Sequence, residues 1–235
     1  MNEPQLAYLS ARVQGRWRTL PSESEWRVLE AIGNADAVLE TARTGALKPW
    51  VAGLNLQRGV AGIERPLRTR WRNHVDEVAH WLPARWREAA EWADHIPRLP
   101  ALDHLLRGGT PPEWTLSDPV LATLAVVPGR EQRREALVGT ALAPLAAHPD
   151  EPERAWFEHW QGLWPERGAL VWASDQLVQS RAEADPVAIR RLRKACRRTL
   201  LTPALGFVHL GLVARHLQRL RGLLVRRALF SEQAA

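Results

Sequence analysis

Histidine is the side chain best suited to acid–base or metal chemistry near neutral pH, and this 235-residue chain has eight histidines. No two of them stand four positions apart, and the H-E-x-x-H motif of a helical zinc site is absent from the sequence. His209 and His216 lie seven positions apart and share a helix face, but no carboxylate is near them in sequence. This pattern favours a structural role for the histidines and predicts no metal site.

The single cysteine, Cys196, is the other candidate for chemistry. It lies next to Arg193, Lys194 and Arg197, and because nearby cations stabilise a thiolate, the sequence predicts a lowered thiol pKa. One cysteine excludes an intramolecular disulfide and a cysteine-based zinc cluster. The sequence also lacks a P-loop, a G-x-G-x-x-G fingerprint and a G-x-S-x-G elbow. We therefore expect no catalytic residue and no cofactor.

Positive charge is concentrated in the last fifth of the sequence. Residues 186–230 contain 11 Arg and Lys and no Asp or Glu, whereas the rest of the chain has 21 basic and 26 acidic residues. A dense cationic segment repels itself, so the sequence predicts an anionic partner, which would be nucleic acid, lipid headgroups or an acidic protein. The alternative is a helix face that the acidic remainder of the same chain neutralises.

Tryptophan is unusually frequent, with 12 residues against one tyrosine and three phenylalanines. Most of these residues recur at helical spacing, which predicts packing between helices: Trp71, Trp81, Trp86, Trp92, Trp156, Trp160 and Trp164. An exposed tryptophan would instead mark a docking surface or a platform for nucleic-acid bases. Residues 188–230 contain no tryptophan, so the basic and stacking elements are separated in sequence, which disfavours nucleic acid.

The elements that must position these residues are predicted to be helices. Apolar residues recur every three to four positions, and no convincing period-two strand pattern is present. Ser22 with Glu25 resembles a capping box, Asn34 is a further N-cap, and Pro111-Pro112 is the clearest break. The helices predicted after this break span residues 118–127, 130–147, 151–163, 167–181, 186–201 and 203–230. We expect an all-α bundle of roughly ten helices, with an N-terminal lobe (1–109) and a C-terminal lobe (110–235) or one continuous domain.

Several helix-end segments together resemble one protein family. These segments are Tyr8–Val13, Trp26–Leu29, Ile63–Leu67, Leu102–Gly108 and His216–Leu224. Their order and spacing are similar to those of the d-type and C-type connector family of V-type ATPases and A-type ATP synthases, the helical connector of rotary ATPases. The likeness spans residues 6–109 and, more weakly, 203–229. The last helix departs from the family at Arg215 and His216, where relatives tend to have an acidic residue.

The resemblance implies a mechanical function without a catalytic residue or cofactor. The connector is expected to be a funnel-like set of helical lobes that docks the central stalk onto the membrane rotor ring and transmits torque for proton or other ion transport. The implied partners are the proteins of the stalk and of the rotor ring and an anionic membrane surface, and nucleic acid is not expected. The implied partner interface consists of arginines: Arg12, Arg107, Arg215, Arg219, Arg221, Arg226 and Arg227.

The expected location is cytoplasmic, peripheral on the inner face of a membrane. The first residues carry no secretory signal, and the longest weakly polar stretch, residues 203–214, is shorter than a bilayer span. Two alternatives stay open. One is a basic helical nucleic-acid-binding protein, whose affinity would fall steeply with salt. The other is a helical enzyme with dispersed residues, for example in a pocket lined by His74, His80 or Glu158.

Overall fold

A computed structural model of the chain describes residues 3–17, 19–182 and 185–231. Every regular element within these ranges is helical, and no strand occurs in them, so the predicted all-α class is confirmed. The α-helices are α1 (Glu3–Trp17), α2 (Glu23–Ala31), α3 (Ala35–Thr44), α4 (Lys48–Val51), α5 (Ala61–Trp81), α6 (Arg87–Glu91), α7 (Leu99–Leu106), α8 (Ala122–Val126), α9 (Arg130–Leu137), α10 (Pro152–Gly162), α11 (Arg167–Ala182), α12 (Asp185–Arg198) and α13 (Ala204–Ser231). Short 3-10 helices span Leu56–Arg58, Ala84–Trp86, Trp92–Arg98, Glu113–Ser117 and Ala143–Ala147. None of the helices in the described part of the chain combines the length and hydropathy of a bilayer span.

Close packing divides the chain into two units. The first unit consists of Met1–Glu91 together with Glu166–Ala235, and the second unit is Trp92–Pro165. The second unit is therefore inserted, in sequence, between the two parts of the first. The boundary expected between residues 109 and 110 falls inside the second unit, because α7 packs against α9 and α10 and the proline-rich break is only a turn between them.

The predicted helix starts are confirmed where a side chain caps the backbone. The Ser22 side chain accepts a hydrogen bond from the backbone N–H of Glu25, and the Glu25 carboxylate accepts one from the backbone N–H of Ser22. Asn34 Oδ1 accepts a hydrogen bond from the N–H of Ala37 at 2.7 Å. Both caps satisfy backbone donors that have no partner within the helix.

The helix predicted over residues 130–147 is shorter in the structure. α9 ends at Leu137, and only the 3-10 helix at Ala143–Ala147 follows it within that range. Thr140 Oγ1 donates a hydrogen bond to the backbone oxygen of Leu137 at 2.8 Å and accepts one from the N–H of Leu142 at 3.1 Å, so a side chain takes up backbone groups that a continuing helix would pair. The prediction was wrong here because the apolar spacing alone does not reveal this interruption.

α13 is the central helix of the first unit. It packs against α1, α3, α5, α11 and α12, and it buries residues along most of its length, including Leu205, Leu212, Leu220 and Leu224. A helix with apolar residues on several faces is typical of a buried position. The basic residues of α13 therefore extend from a core helix.

A close approach of backbone at Gly62 gives a stability prediction. An ideal Cβ at this position would lie 2.0 Å from the backbone oxygen of Asn55 and 2.9 Å from Arg58 Cβ. Gly62→Ala is expected to lower the free energy of unfolding by about 1–3 kcal/mol, because backbone must move to accommodate the methyl group. Urea unfolding followed by far-UV circular dichroism measures this change.

Gly15→Ala is the matched control, since no atom lies within 4 Å of its ideal Cβ in α1. Alanine at this exposed helix position is expected to raise the free energy of unfolding by about 0.5–1 kcal/mol. Equal effects of the two substitutions would contradict the close approach at Gly62.

Candidate anion-binding groove

α12 separates its apolar and cationic residues onto opposite sides. Its inner side buries Ala188, Leu192 and Ala195. Three exposed cations recur at every fourth position on the outer side, where the helical period places them in one row: Arg190, Lys194 and Arg198. We call these three residues the cationic row. The row lies within the first unit, on the helix that follows α11 along the chain.

A groove of about 480 Å³ lies between the outer sides of α11 and α12. Its walls combine the cationic row with neighbouring polar and apolar side chains: Trp172, Gln176, Val187, Arg190, Arg191, Lys194, Ala195 and Arg198. Among the described residues, four positive charges and no carboxylate therefore line one surface depression. Charges of one sign in a cleft raise the local potential and attract counter-ions, so the groove is suited to an anion.

The cationic row makes no ion pair with any residue that the structure describes. The charge of Arg190 contributes to lowering the pKa of Glu23, after the larger effects of Arg219 and Arg27. The fourth cation, Arg191, is held differently, because Nη1 donates a hydrogen bond to Gln179 Oε1 at 3.0 Å. The carbonyl oxygen of Gln179 is thus occupied, and its side-chain NH₂ group has the capacity to donate to a ligand.

Trp172 is the most exposed of the 12 tryptophans, with 39% of its surface accessible. It makes no ring contact with another aromatic side chain in the described residues. The seven tryptophans for which the sequence predicted helix packing, from Trp71 to Trp164, are buried, so that prediction is confirmed. A half-exposed indole thus stands beside the cationic row, an arrangement that the separation of tryptophan and arginine in sequence did not predict.

The arginines expected at a partner interface fall into exposed and buried groups. Arg107 lies in the second unit, pairs with Asp103 at 2.9 Å and has 68% of its side chain exposed. Arg226 is exposed and has no ion-pair partner among the described residues. Arg12 is 44% exposed, binds Glu77 at 3.1 Å and lies over the Trp81 ring, and Arg221 is 55% exposed and pairs with Glu64. These four are the members of the expected set that face solvent.

The remaining three arginines of the set are engaged within the first unit. Arg219 is 7% exposed and binds both Glu23 and Glu30 through its guanidinium group, at 2.7–3.0 Å. Arg215 Nη2 lies 2.9 Å from the Asp185 carboxylate, and Arg227 donates to the backbone oxygen of Glu30 at 3.0 Å. Acidic residues of the same chain therefore neutralise much of α13, which was the alternative interpretation of the basic segment. The cationic row of α12, like Arg226 of α13, has no ion pair among the described residues.

Cys196 differs from its predicted chemistry. The thiol is fully buried, and burial raises its pKa to about 12, which outweighs the nearby charge of Arg193. The prediction of a lowered thiol pKa was wrong. The arginines that neighbour Cys196 in sequence lie towards the outer side of α12, whereas the thiol is buried among apolar residues on the inner side.

The histidines of the core occupy structural positions. His216 Nδ1 accepts a hydrogen bond from Trp26 Nε1 at 3.0 Å, and His74 and His209 lie with their Nε2 atoms 3.2 Å apart. All three are buried. No group of three or more His, Cys, Asp or Glu in the described part of the chain is placed to hold a metal ion.

Sequence reasoning missed the groove because it sought the interface on α13. The available signal was the four-residue spacing of the cationic row. Trp172 carried no comparable signal, since it is separated from Arg190 by 18 positions and by a change of helix. Comparison with protein-family models, with curated proteins and with solved structures finds no match. The likeness to the rotary ATPase connector therefore stays a prediction.

Proposed function

We propose that this chain is a non-catalytic docking protein that recognises a polyanionic partner through the groove between α11 and α12. The observation that carries the proposal is the cationic row, whose three side chains are exposed and have no ion pair in the described structure. Many exposed arginines elsewhere already have an ion-pair partner, whereas this row has no ion pair among the described residues. A bound polyanion would relieve the mutual repulsion of the row and release its own counter-ions.

Heparin affinity chromatography of the full chain tests this proposal, with heparin as the polyanionic probe. The triple variant R190Q/K194Q/R198Q is expected to elute at much lower salt than the unmodified chain, because it lacks the row. The variant keeps the buried inner side of α12, and circular dichroism checks that its helix content is unchanged.

The control removes three exposed arginines from the second unit and changes the net charge by the same amount. R107Q/R130Q/R154Q alters side chains that already pair with Asp103, Asp150 and Glu158. Its elution is expected to stay close to that of the unmodified chain. If both triple variants elute equally early, retention depends on net charge alone and the groove is not the site.

The rotary ATPase connector is a second candidate function. Two observations support it: four of the five segments that carry the resemblance lie within helices, and the fifth runs past the end of α7 at Leu106 to Gly108, whose φ of 87° is typical of the glycine that follows a helix. Four of the expected interface arginines are also exposed. Co-expression with the stalk and rotor-ring proteins, followed by affinity purification at low salt, tests this function. Failure to recover those proteins would contradict it.

A further inference from the structure

We infer that the polyanion of the groove is single-stranded nucleic acid, with Trp172 as the stacking platform for a base and the cationic row as the contacts to phosphates. This inference rests on the proposed function, because it names the partner class of the same groove. It reverses the expectation that the basic and stacking elements are separated, since the fold brings Trp172 of α11 to the cationic side of α12.

The first argument is the linear arrangement of the cations. Arg190, Lys194 and Arg198 follow the axis of α12, with about 6 Å of rise between successive members. A polymer with one negative charge in each repeating unit can place successive charges beside successive members of this row. Proteins that bind single strands without sequence preference combine such a positive groove with aromatic side chains.

The second argument is the state of the indole. Trp172 keeps 39% of its surface exposed and has no aromatic partner in the described residues. Exposed apolar surface costs hydration free energy, and the mostly polar side chains of the groove leave the ring partly uncovered. A stacked base would cover the ring, and every base has a π-face for this contact.

The third argument separates nucleic acid from other polyanions. An acidic peptide satisfies the cations but has no planar group in each residue for the indole. Duplex DNA presents phosphates but keeps its base faces stacked, so it also leaves Trp172 uncovered. Gln176 of α11 lines the groove, and a side-chain amide is suited to the polar edge of an unpaired base. Single strands alone among these polymers use all three features of the groove.

The test compares two labelled single strands of equal length and charge, by fluorescence anisotropy with the full chain. One strand is oligo-dT, and the other is an abasic strand with the same number of phosphates. The unmodified chain is expected to bind oligo-dT about 5- to 100-fold more tightly than the abasic strand, as stacking of one or more bases provides. W172L is expected to remove this preference, so that the variant binds the two strands with equal affinity.

W172F is the companion variant, because it retains an aromatic ring and is expected to keep part of the preference. Equal binding of the two strands by the unmodified chain would overturn the inference while leaving the groove a polyanion site. A Trp172-dependent preference for poly-glutamate or for anionic phospholipid vesicles over oligo-dT would overturn it in the same way. If R190Q/K194Q/R198Q loses heparin retention but W172L does not change the ratio of strand affinities, the groove is a polyanion site and the inference about single strands is wrong.

Discussion

Arg98→Met is expected to lower the free energy of unfolding by about 3–5 kcal/mol, the typical result of removing one partner from a buried ion pair. The Arg98 side chain is 2% exposed, and its Nε lies 3.0 and 3.1 Å from the two carboxylate oxygens of Asp118. Its Nη1 also donates to the Asp94 carboxylate at 3.0 Å. Methionine fills much of the volume, but it leaves the Asp118 carboxylate, with 6% of its side chain exposed, without its cation.

The electrostatics of Asp118 explain the size of this effect. Burial by itself raises the pKa of Asp118, but the charge of Arg98 and the backbone N–H groups of Val120 and Leu121 outweigh burial and hold the pKa below its ordinary value. The carboxylate is thus ionised in the folded second unit because Arg98 is present. Asp118 Oδ1 accepts hydrogen bonds from these two N–H groups at 2.9 and 3.1 Å, in the turn that precedes α8.

Urea unfolding at pH 7 measures the prediction, with Arg107→Met as the matched control. Arg107 also pairs with an aspartate, but 68% of its side chain is exposed, so its removal is expected to change stability by no more than about 0.5 kcal/mol. The double variant R98M/D118N is expected to recover part of the loss, because the asparagine oxygen still accepts from Val120 and carries no charge. A loss below about 1 kcal/mol for Arg98→Met would contradict a buried pair.

Acid is expected to destabilise the first unit well before most carboxylates titrate. Burial, together with the charges of Arg193 and Arg219, lowers the pKa of His216 to about 3. Burial, followed by the neighbouring His74 and Arg16, lowers the pKa of His209 well below its ordinary value. Above pH 6.5 both histidines are neutral in the folded and unfolded chain. Below pH 6.5 the unfolded chain takes up protons that the folded chain excludes, so stability falls by about 1.4 kcal/mol per pH unit for each histidine.

This loss continues down to the folded-state pKa, which for His216 is about 3. Glu77 also makes the folded chain less stable as pH falls, but in a lower pH range. The nearby His74, whose Nδ1 lies 3.6 Å from Glu77 Oε2, and the hydrogen-bonded Arg16 lower the pKa of Glu77 to about 2 against the opposing effect of burial, so its contribution is lost as pH falls from about 4.5 to about 2.

Urea unfolding at pH 7.5, 6, 5 and 4 tests the acid prediction. His216→Asn is the informative variant, because asparagine retains an acceptor for Trp26 Nε1 and does not titrate in this range. It is expected to reduce the slope of stability against pH between 6.5 and 4, whatever its effect at pH 7.5. His80→Asn, at an exposed position of α5, is the control and is expected to leave the slope unchanged. An unchanged slope in His216→Asn would show that His216 titrates normally.

The sequence by itself determined the features that depend on neighbouring residues along the chain. Helical spacing predicted the all-α class, and Ser22, Glu25 and Asn34 predicted helix starts, because a cap involves residues only three positions apart. The regular recurrence of tryptophan predicted burial, since large apolar side chains at helical spacing lie on one face and are removed from water together. These predictions needed no knowledge of which helices meet.

Only the tertiary structure decided which charges remain unpaired. The resemblance placed five of the seven expected interface arginines on the last helix, but α13 is the central helix of the first unit, and Arg219 binds Glu23 and Glu30, nearly 200 positions away. The same packing buried Cys196 and reversed the direction of its pKa shift. It also brought Trp172 beside the cationic row and Arg98 to Asp118. Charge, exposure and pKa depend on contacts between helices that are distant in sequence, and local patterns contain no information about those contacts.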